Sequence, residues 1–415
     1  MPASVAAPAL ISDPEPSLYP AEIASLVTRL QDLRDVTLKF KDIPWQERLK
    51  RARLLNEQLR VLEYRFGATT LRSLPSGVEL PVAGKCNLRC TMCSLSFMDE
   101  TPPNWTLDQV KRFEPFFPFA RIVNPTGAGE PLSNRNFFDM LELFAAYQLA
   151  VGFYTNATLL TPDRIERILR LGVRQVNVSL DGATADTYNT IRRHASFDKV
   201  VANVRRFVTR RNELGTVVPK LQIAMVLMRE NMHELPAMIR LAHDLGAASV
   251  YTMFVSDITP EKMCQHEPRR TNSMLREARQ VAREVGISFM CPDELPETKQ
   301  EALGVEPEAP LFTAVDVPET DSPIEMPVAT GNTPFADHKG NCVMPWRNLV
   351  VWNDGEVSPC CFIRDEDVNV RFGSIHESDP TELWNSAGMV DLRRRLSTGD
   401  PPQKCIECTF RTASM

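Results

Sequence analysis

The chain has 415 residues and a mass of 46.8 kDa, of which 43% are hydrophobic and 24% charged, a composition typical of a globular protein. Its formal net charge of -6 and pI of about 5.7 give no electrostatic reason to expect nucleic acid as a partner. No apolar run approaches the roughly 20 residues of a membrane-spanning helix. The first residues also lack the basic and apolar regions of a secretory signal. We therefore expect a cytoplasmic protein with no membrane or nucleic-acid partner.

Two helices are predicted near the start of the chain. Residues 1–17 are rich in Pro and Ala and are expected to be disordered. Apolar residues then recur at helical spacing over 20–33 and 44–66, with Pro44 suited to a first helical turn. We interpret residues 1–75 as a disordered start followed by a helical extension, whose role the sequence does not decide.

From residue 76 the rhythm changes to short strands that alternate with amphipathic helices. Predicted strands cover 78–82, 121–124, 151–155, 175–180, 220–227 and 249–254. Predicted helices between them cover 136–147, 162–171, 197–214 and 232–245. Such short connections demand right-handed crossovers and a parallel sheet, so the fold class is α/β, with active-site groups at the C-terminal strand ends. A core domain over 76–290 is therefore expected, followed by a Pro-rich acidic linker over 291–340 and a cysteine-bearing domain over 341–415.

Ten cysteines indicate metal binding or catalysis in a cytoplasmic protein, where disulfides are rare. Cys86, Cys90 and Cys93 form a C-x3-C-x2-C loop directly after the first predicted strand. Three thiolates can bind three irons of a [4Fe–4S] cube and leave the fourth iron open for another molecule. The alternatives are a zinc site, which prefers paired C-x2-C units and four ligands, or cysteines that only pack.

This loop resembles the C-x3-C-x-φ-C signature of the radical S-adenosylmethionine (SAM) superfamily, with Met92 where an aromatic residue is common. The resemblance implies a partial (β/α)6, TIM-like barrel that binds SAM at the open iron. It also implies reductive cleavage of SAM to a 5′-deoxyadenosyl radical, with an electron donor such as flavodoxin or ferredoxin as partner. The protein then orients SAM and excludes water while the cofactors carry the radical chemistry.

Further motifs follow later strands and are similar to SAM-contacting segments of the same family. Gly127-Ala128-Gly129-Glu130-Pro131 resembles the GGEP motif, in which Gly129 permits close backbone approach and Glu130 lies beside the methionyl ammonium group. Thr155-Asn156-Ala157-Thr158 resembles a TNGT segment that includes Asn156. A turn and a polar strand end are the respective structural alternatives.

The remaining predicted SAM contacts lie on the fourth and fifth strands. By resemblance, Ser179 and Asp181 face the SAM carboxylate or ribose, and Arg192 is similar to a carboxylate-binding arginine. Met225, on the strand over 220–227, is assigned to hydrophobic contact with adenine. A surface salt bridge for Arg192 and plain core packing for Met225 are the alternatives.

Four cysteines of the tail are predicted to converge. Asn353-Asp354-Gly355 between two β-rich runs indicates a hairpin that brings Cys360 back beside Cys342, and a predicted helix through 383–396 then delivers Cys405 and Cys408. Four thiolates can hold a closed auxiliary [4Fe–4S] cluster or a structural zinc ion.

The tail resembles the SPASM/twitch module, and its few cysteines favour the shorter twitch type with one auxiliary cluster. It is similar to the tail of the twitch dehydrogenase that acts on 2-deoxy-scyllo-inosamine. The same resemblance makes Cys342, Cys360, Cys405 and Cys408 the ligands and leaves Cys361 over.

The sequence predicts a radical SAM oxidoreductase that dehydrogenates a small molecule, such as a sugar or cyclitol, bound between barrel and tail. An epimerase is the first alternative, with Cys264 as the preferred hydrogen-atom donor, and a ribosomal-peptide-modifying enzyme is the second. A zinc-stabilised binding protein is the non-enzymatic alternative. Substrate identity and oligomeric state do not follow from the sequence.

Overall fold

The computed structural model describes residues 21–255, 259–297, 342–368, 370–406 and 408. The predicted disordered start over 1–17 and the linker from residue 298 onward lie outside these residues. The chain divides into two compact units. The barrel unit comprises Glu79–Lys111 and Ile122–Glu308, and the tail unit comprises Met1–Val78, Arg112–Arg121 and Ala309–Met415.

The strands of the described residues are β1 Gly77–Leu80, β2 Arg89–Cys90, β3 Ile122–Pro125, β4 Ala150–Thr155, β5 Gln175–Ser179, β6 Arg192–Arg193, β7 Lys220–Leu227, β8 Ser249–Phe254, β9 Ser288–Met290, β10 Asn348–Val351 and β11 Val357–Ser358. In the barrel unit β1 lies beside β3, and β3, β4, β5, β7, β8 and β9 pair in that order, each parallel to the next. All six predicted strands are present. The sequence analysis did not predict β9, which adds a seventh.

The helices of the described residues are α1 Ala21–Thr37, α2 Trp45–Arg65, α3 Leu107–Lys111, α4 Phe137–Ala146, α5 Pro162–Arg170, α6 Ala185–Ile191, α7 Phe197–Glu213, α8 Leu235–Asp244, α9 Pro268–Val285, α10 Met344–Arg347, α11 Asp365–Val368, α12 Pro380–Leu383, α13 Ala387–Ser397 and α14 Gln403–Ile406. Among these helices, none has the length and apolar character needed to cross a membrane.

Side chains of the barrel strands alternate between two environments. In β7, Leu221, Ile223, Met225 and Leu227 are buried at 0–1% exposure, whereas Ala224 and Val226 are partly exposed. Strand residues point alternately to opposite faces, so the buried set packs against the surrounding helices and the other set faces the inside of the curved sheet. This period of two decides which residues reach the site.

The N-terminal helices and the C-terminal cysteine domain belong to one folding unit. The segment after α2 accepts hydrogen bonds from two tryptophans that are far away in the sequence. Trp346 Nε1 donates to the Ala68 carbonyl and Trp384 Nε1 donates to the Ser73 carbonyl, both at 2.8 Å. Arg393 is fully buried and donates to the carbonyls of Thr69, Pro345 and Trp384 at 2.8–2.9 Å. The helical extension is therefore part of the core of the tail unit.

The predicted hairpin is confirmed, whereas the single helix predicted over 383–396 is wrong. Strands β10 and β11 pair antiparallel, with Val350 opposite Ser358. The helical region is broken into α12 and α13, because Ser386 caps α13 by accepting from Met389 N–H and Asn385 turns its side chain to the backbone of Leu71.

Candidate active site and auxiliary cysteine site

The three-cysteine loop follows β1 in the barrel unit and is paired to a distant motif. Within the loop, β2 pairs antiparallel with β6, so that Cys90 lies opposite Arg192. Thr91 N–H donates to the Ile191 carbonyl at 2.9 Å and extends this pairing. Met92 packs against a buried apolar cluster that includes Ile191 and Met228. The position where the family favours an aromatic residue is therefore a packing position here.

The glycine-rich motif after β3 lies directly on the backbone that leads into the cysteine loop. Gly129 N–H donates to the Ala83 carbonyl at 2.8 Å, and Glu130 N–H donates to the Lys85 carbonyl at 2.9 Å. A Cβ on Gly129 would lie 2.2 Å from the Lys85 carbonyl oxygen. Gly127 has a φ of 126°, and a Cβ there would lie 2.2 Å from the Ala83 carbonyl oxygen. Only glycine allows this contact.

Glu130 joins the ends of β3 and β4. Its side chain is 2% exposed and accepts hydrogen bonds from Thr155 Oγ1 at 2.7 Å, Asn156 N–H at 2.7 Å and Leu132 N–H at 3.1 Å. Burial raises the pKa of Glu130, and these hydrogen bonds oppose that effect. Each carboxylate oxygen has two lone pairs, so the group can still accept from an ammonium group.

Asn156 connects the motif after β4 to the cysteine loop. Its Nδ2 donates to Asn87 Oδ1 at 3.0 Å and lies 3.8 Å from the Cys86 sulfur. Asn87 in turn donates to Thr158 Oγ1 at 2.9 Å. Asn87 was not singled out in the sequence analysis, although it stands inside the cysteine motif. The structure brings Asn156 to the cysteine loop, and its contact with SAM stays a prediction.

Asp181 and Arg192 form a buried ion pair beside Cys90. Both Nε and Nη2 of Arg192 lie 2.7 Å from Asp181 Oδ2, and the Val226 N–H donates to Oδ1 at 2.8 Å. Burial would lower the pKa of Arg192, but the Asp181 carboxylate raises it above its usual range. Arg192 Nη1 lies 4.0 Å from the Cys90 sulfur. The pair therefore fixes a positive charge next to a cysteine of the loop.

Met225, the predicted apolar contact with adenine, does not share a strand face with Ser179. Ser179 is paired with Ala224, so Ser179, Ala224 and Val226 share the inner face of the sheet. Met225, at 1% exposure, lies on the opposite, helix-packed face. The alternation of exposure along the strand distinguishes Ala224 and Val226 from Met225, and the contact of Met225 with SAM stays a prediction.

The thiol environment of the loop fits an iron–sulfur cluster. Besides Asn156 and Arg192, the Leu88 N–H points at the Cys86 sulfur from 3.4 Å. Burial, together with the nearby Asp181, Cys93 and Cys86, raises the pKa of Cys90 to about 11 against the opposing effect of Arg192. Bound iron displaces thiol protons, and N–H groups directed at sulfur stabilise the resulting thiolates. Residues Cys86, Cys90 and Cys93 would hold the cluster.

Of the tail cysteines, Cys342, Cys361 and Cys405 lie near Cys360 in the tail unit. Cys360 and Cys405 are buried, at 8% and 7% exposure, and Cys342 and Cys408 are half-buried. Burial raises the pKa of Cys360, and the neighbouring Cys361, Cys342 and Cys405 raise it further. Several thiols close enough to interact electrostatically fit an auxiliary cluster. Cys361 is exposed, and the assignment of Cys408 as a ligand stays a prediction.

A binding site for a single metal ion is not found among the residues that the structure describes. No three His, Cys, Asp or Glu side chains there are grouped as ligands of one metal ion would be. Thiolates of an iron–sulfur cube bind different irons and stand further apart than ligands of one ion.

Cys264 is buried beside the end of β7. It begins a short 3-10 helix, has no exposed surface, and its sulfur lies 3.6 Å from the Leu227 carbonyl oxygen. Burial raises the pKa of this thiol to about 11. A hydrogen-atom donor has to reach the substrate, so this placement does not favour that role, which stays a prediction.

Fold and site together define a parallel β/α protein with a thiolate loop at the end of its first strand. Comparison with known proteins gives the family. Residues 80–242 match the Radical SAM superfamily, and residues 342–409 match SPASM, an iron–sulfur cluster-binding domain. The chain is therefore a radical SAM enzyme with a C-terminal SPASM domain. These two domains imply a SAM-binding [4Fe–4S] cluster and auxiliary iron–sulfur binding, as the sequence analysis predicted.

Several known proteins are similar to this chain in sequence or fold. The chain is 26% identical over 351 residues to the tungsten-containing aldehyde ferredoxin oxidoreductase cofactor-modifying protein of Pyrococcus furiosus, covering 80% of this chain and 87% of that protein. It is 29% identical over 169 residues to the mycofactocin maturase MftC of Mycobacterium tuberculosis, covering 39% of this chain and 40% of MftC. Among solved structures, Streptococcus suis SuiB bound to precursor peptide SuiA aligns with a TM-score of 0.55 at 14% identity, covering 90% of this chain and 80% of SuiB. At 14% identity, the alignment with SuiB shows a similarity of fold alone.

Proposed function

We propose that this enzyme removes a hydrogen atom from a C–H bond of its substrate. The resulting substrate radical then loses an electron to the auxiliary cluster and a proton from an adjacent O–H or N–H group, which makes a net two-electron oxidation. The observation that carries the proposal is the presence of two cysteine sets in separate units. Cys86, Cys90 and Cys93 leave one iron of a cube open, whereas the tail set has enough thiolates to close a second cluster. A closed cluster cannot bind SAM and is suited to electron transfer.

The barrel residues supply binding and orientation. When bound, the open-iron cluster and SAM together generate the carbon radical that abstracts hydrogen. Glu130 and Asn156 hold the strand ends on which SAM rests, because they connect the glycine motif, the end of β4 and the cysteine loop. We assign Ser179, Ala224 and Val226 to the face that contacts SAM.

The inner face of the barrel unit offers surface to a substrate. Tyr154 on β4 is 43% exposed and Met253 on β8 is 44% exposed, although both residues lie in paired strands of the parallel sheet. Tyr251 is paired with Ala224 and shares this face. A mixed aromatic and thioether surface suits a substrate with both polar and apolar parts.

A peptide is the second candidate substrate. The sequence favours a small molecule such as a sugar or cyclitol, and the cofactor-modifying relative is compatible with a small substrate. The mycofactocin maturase relative, and a structural neighbour solved with a precursor peptide, favour a peptide. Transfer of deuterium from a labelled candidate into 5′-deoxyadenosine identifies the class, because only the true substrate donates its hydrogen to the radical.

Three cysteine variants test the proposal. Cys86→Ala should abolish release of 5′-deoxyadenosine with dithionite, because the open-iron cluster does not assemble. Cys405→Ala should keep uncoupled SAM cleavage but stop product formation. Cys361→Ala, at an exposed thiol, is the matched control and should leave both activities intact. Unimpaired SAM cleavage by Cys86→Ala contradicts the site, and full product formation by Cys405→Ala contradicts the oxidative role of the tail.

A further inference from the structure

Two buried hydroxyl groups near the cysteine loop have no hydrogen-bond partner among the described residues. They are Tyr188 Oη, on α6, and Thr91 Oγ1, directly after Cys90. Tyr188 is 0% exposed. A buried hydroxyl left unpaired is destabilising, so native proteins place a partner there, and a bound group can supply that partner.

Both hydroxyl-bearing residues lie on segments whose backbones pair around Cys90. Helix α6 carries Tyr188 and runs directly into β6, whose Arg192 lies opposite Cys90. Thr91 is bound through its N–H to Ile191, the last residue of the same helix. The apolar side of the Tyr188 ring packs edge-on against Phe197, with ring centroids 5.7 Å apart.

Helix geometry places Tyr188 near the cysteine loop, because Tyr188 lies four residues before Arg192, whose Nη1 lies 4.0 Å from the Cys90 sulfur. A phenol has an ordinary pKa of about 10. The phenol therefore keeps its proton and acts as a donor. The Asp181 carboxylate does not accept from this hydroxyl, since the Tyr188 Oη has no hydrogen-bond partner among the described residues.

We propose that Tyr188, assisted by Thr91, donates an O–H···S hydrogen bond to the Cys90 side of the SAM-binding cluster and raises its reduction potential. Hydrogen bonds to cluster sulfur stabilise the reduced, more negative state and shift the potential upward. Tyr188 is thus a positioning and tuning residue that does not touch the substrate. The inference rests on the cluster at Cys86, Cys90 and Cys93, but it does not depend on the substrate or on oxidation.

The test is a redox titration of Tyr188→Phe in a Cys405→Ala background, where the loop cluster can be followed without the auxiliary cluster. We expect unchanged iron content at the loop and a lower midpoint potential. A tenfold change in the reduction equilibrium, which corresponds to 59 mV for a one-electron couple, is the expected scale. Thr91→Val, which exchanges the hydroxyl for a methyl group, should shift the potential in the same direction.

The matched control is Tyr147→Phe, because Tyr147 is an equally buried tyrosine that follows α4 in the same unit. It should leave the potential unchanged. An unchanged potential in Tyr188→Phe, with the cluster retained, overturns the inference and leaves the proposed function intact. If Tyr188→Phe does not retain iron, Thr91→Val decides by the same criterion. Absence of any SAM-responsive cluster in the parent protein would instead contradict the proposed function.

Discussion

Replacement of Gly129 by alanine tests the contact between the glycine motif and the cysteine loop. The new Cβ would lie 2.2 Å from the Lys85 carbonyl oxygen and 2.7 Å from the Lys85 nitrogen and carbonyl carbon. Since such contacts normally stay beyond about 3 Å, the two backbones must separate by roughly 1 Å. Lys85 precedes the ligand Cys86, so the displacement reaches the cluster directly. A misplacement of about 1 Å can cost on the order of 100-fold in rate, which is the loss we expect in SAM cleavage.

The assay is release of 5′-deoxyadenosine with dithionite, read together with iron content and thermal unfolding. Gly172→Ala is the control, because Gly172 also has a positive φ, of 68°, but a Cβ there meets nothing within 4 Å. That control should lose about 1 kcal/mol of stability from backbone strain and keep wild-type SAM cleavage. If Gly129→Ala cleaves SAM as fast as the wild type, the glycine contact does not position the cysteine loop.

Three further changes test other parts of the structure. Arg393→Met leaves three carbonyls, two of them buried, without their donor, so it should destabilise the tail unit by about 3 kcal/mol or more. It should also lower auxiliary iron while loop iron stays, as measured by iron content in Cys86→Ala and Cys405→Ala backgrounds. Ala157 has a φ of 56°, so Ala157→Gly should raise the free energy of unfolding by about 0.5–1 kcal/mol in denaturant titrations, and a loss of stability would contradict the strained backbone. Folding raises the pKa of Cys264 from 9.0 to about 11, so between these pH values the folded state binds more protons than the unfolded state. The free energy of unfolding should therefore fall as the pH rises from about 9 to about 11. Cys264→Ala should flatten that slope and keep 5′-deoxyadenosine release, whereas loss of product in this variant alone would favour the epimerase alternative.

The strand and motif pattern was predictable because it depends on local chemistry. Hydrophobic alternation gave the six strands, and the cysteine spacing gave the thiolate loop at the end of the first one. Which face of the sheet a strand residue points to was harder to predict. Met225 and Val226 are both apolar, and only the register with Ser179 decides which of them faces the site.

Long-range burial was not predictable from the sequence. The role of the N-terminal helices depends on hydrogen bonds between residues more than 270 positions apart, such as Trp346 to Ala68, and no local pattern encodes such a pairing. The break between α12 and α13 has the same origin, since Asn385 leaves the helical path to bind Leu71. The Asp181–Arg192 pair was predicted as two separate SAM contacts, and only the fold shows that the two residues bind each other beside Cys90.

The central claim is that one chain holds a SAM-binding cluster and a separate auxiliary cluster. Iron and sulfide analysis of anaerobically purified protein, combined with electron paramagnetic resonance of the reduced protein with and without SAM, tests it most directly. The account predicts about eight irons per chain and two signals. One signal should change when SAM is added and be lost in Cys86→Ala, and the other should be lost in Cys405→Ala. Stoichiometric zinc without iron, or signals none of which changes when SAM is added, would contradict it.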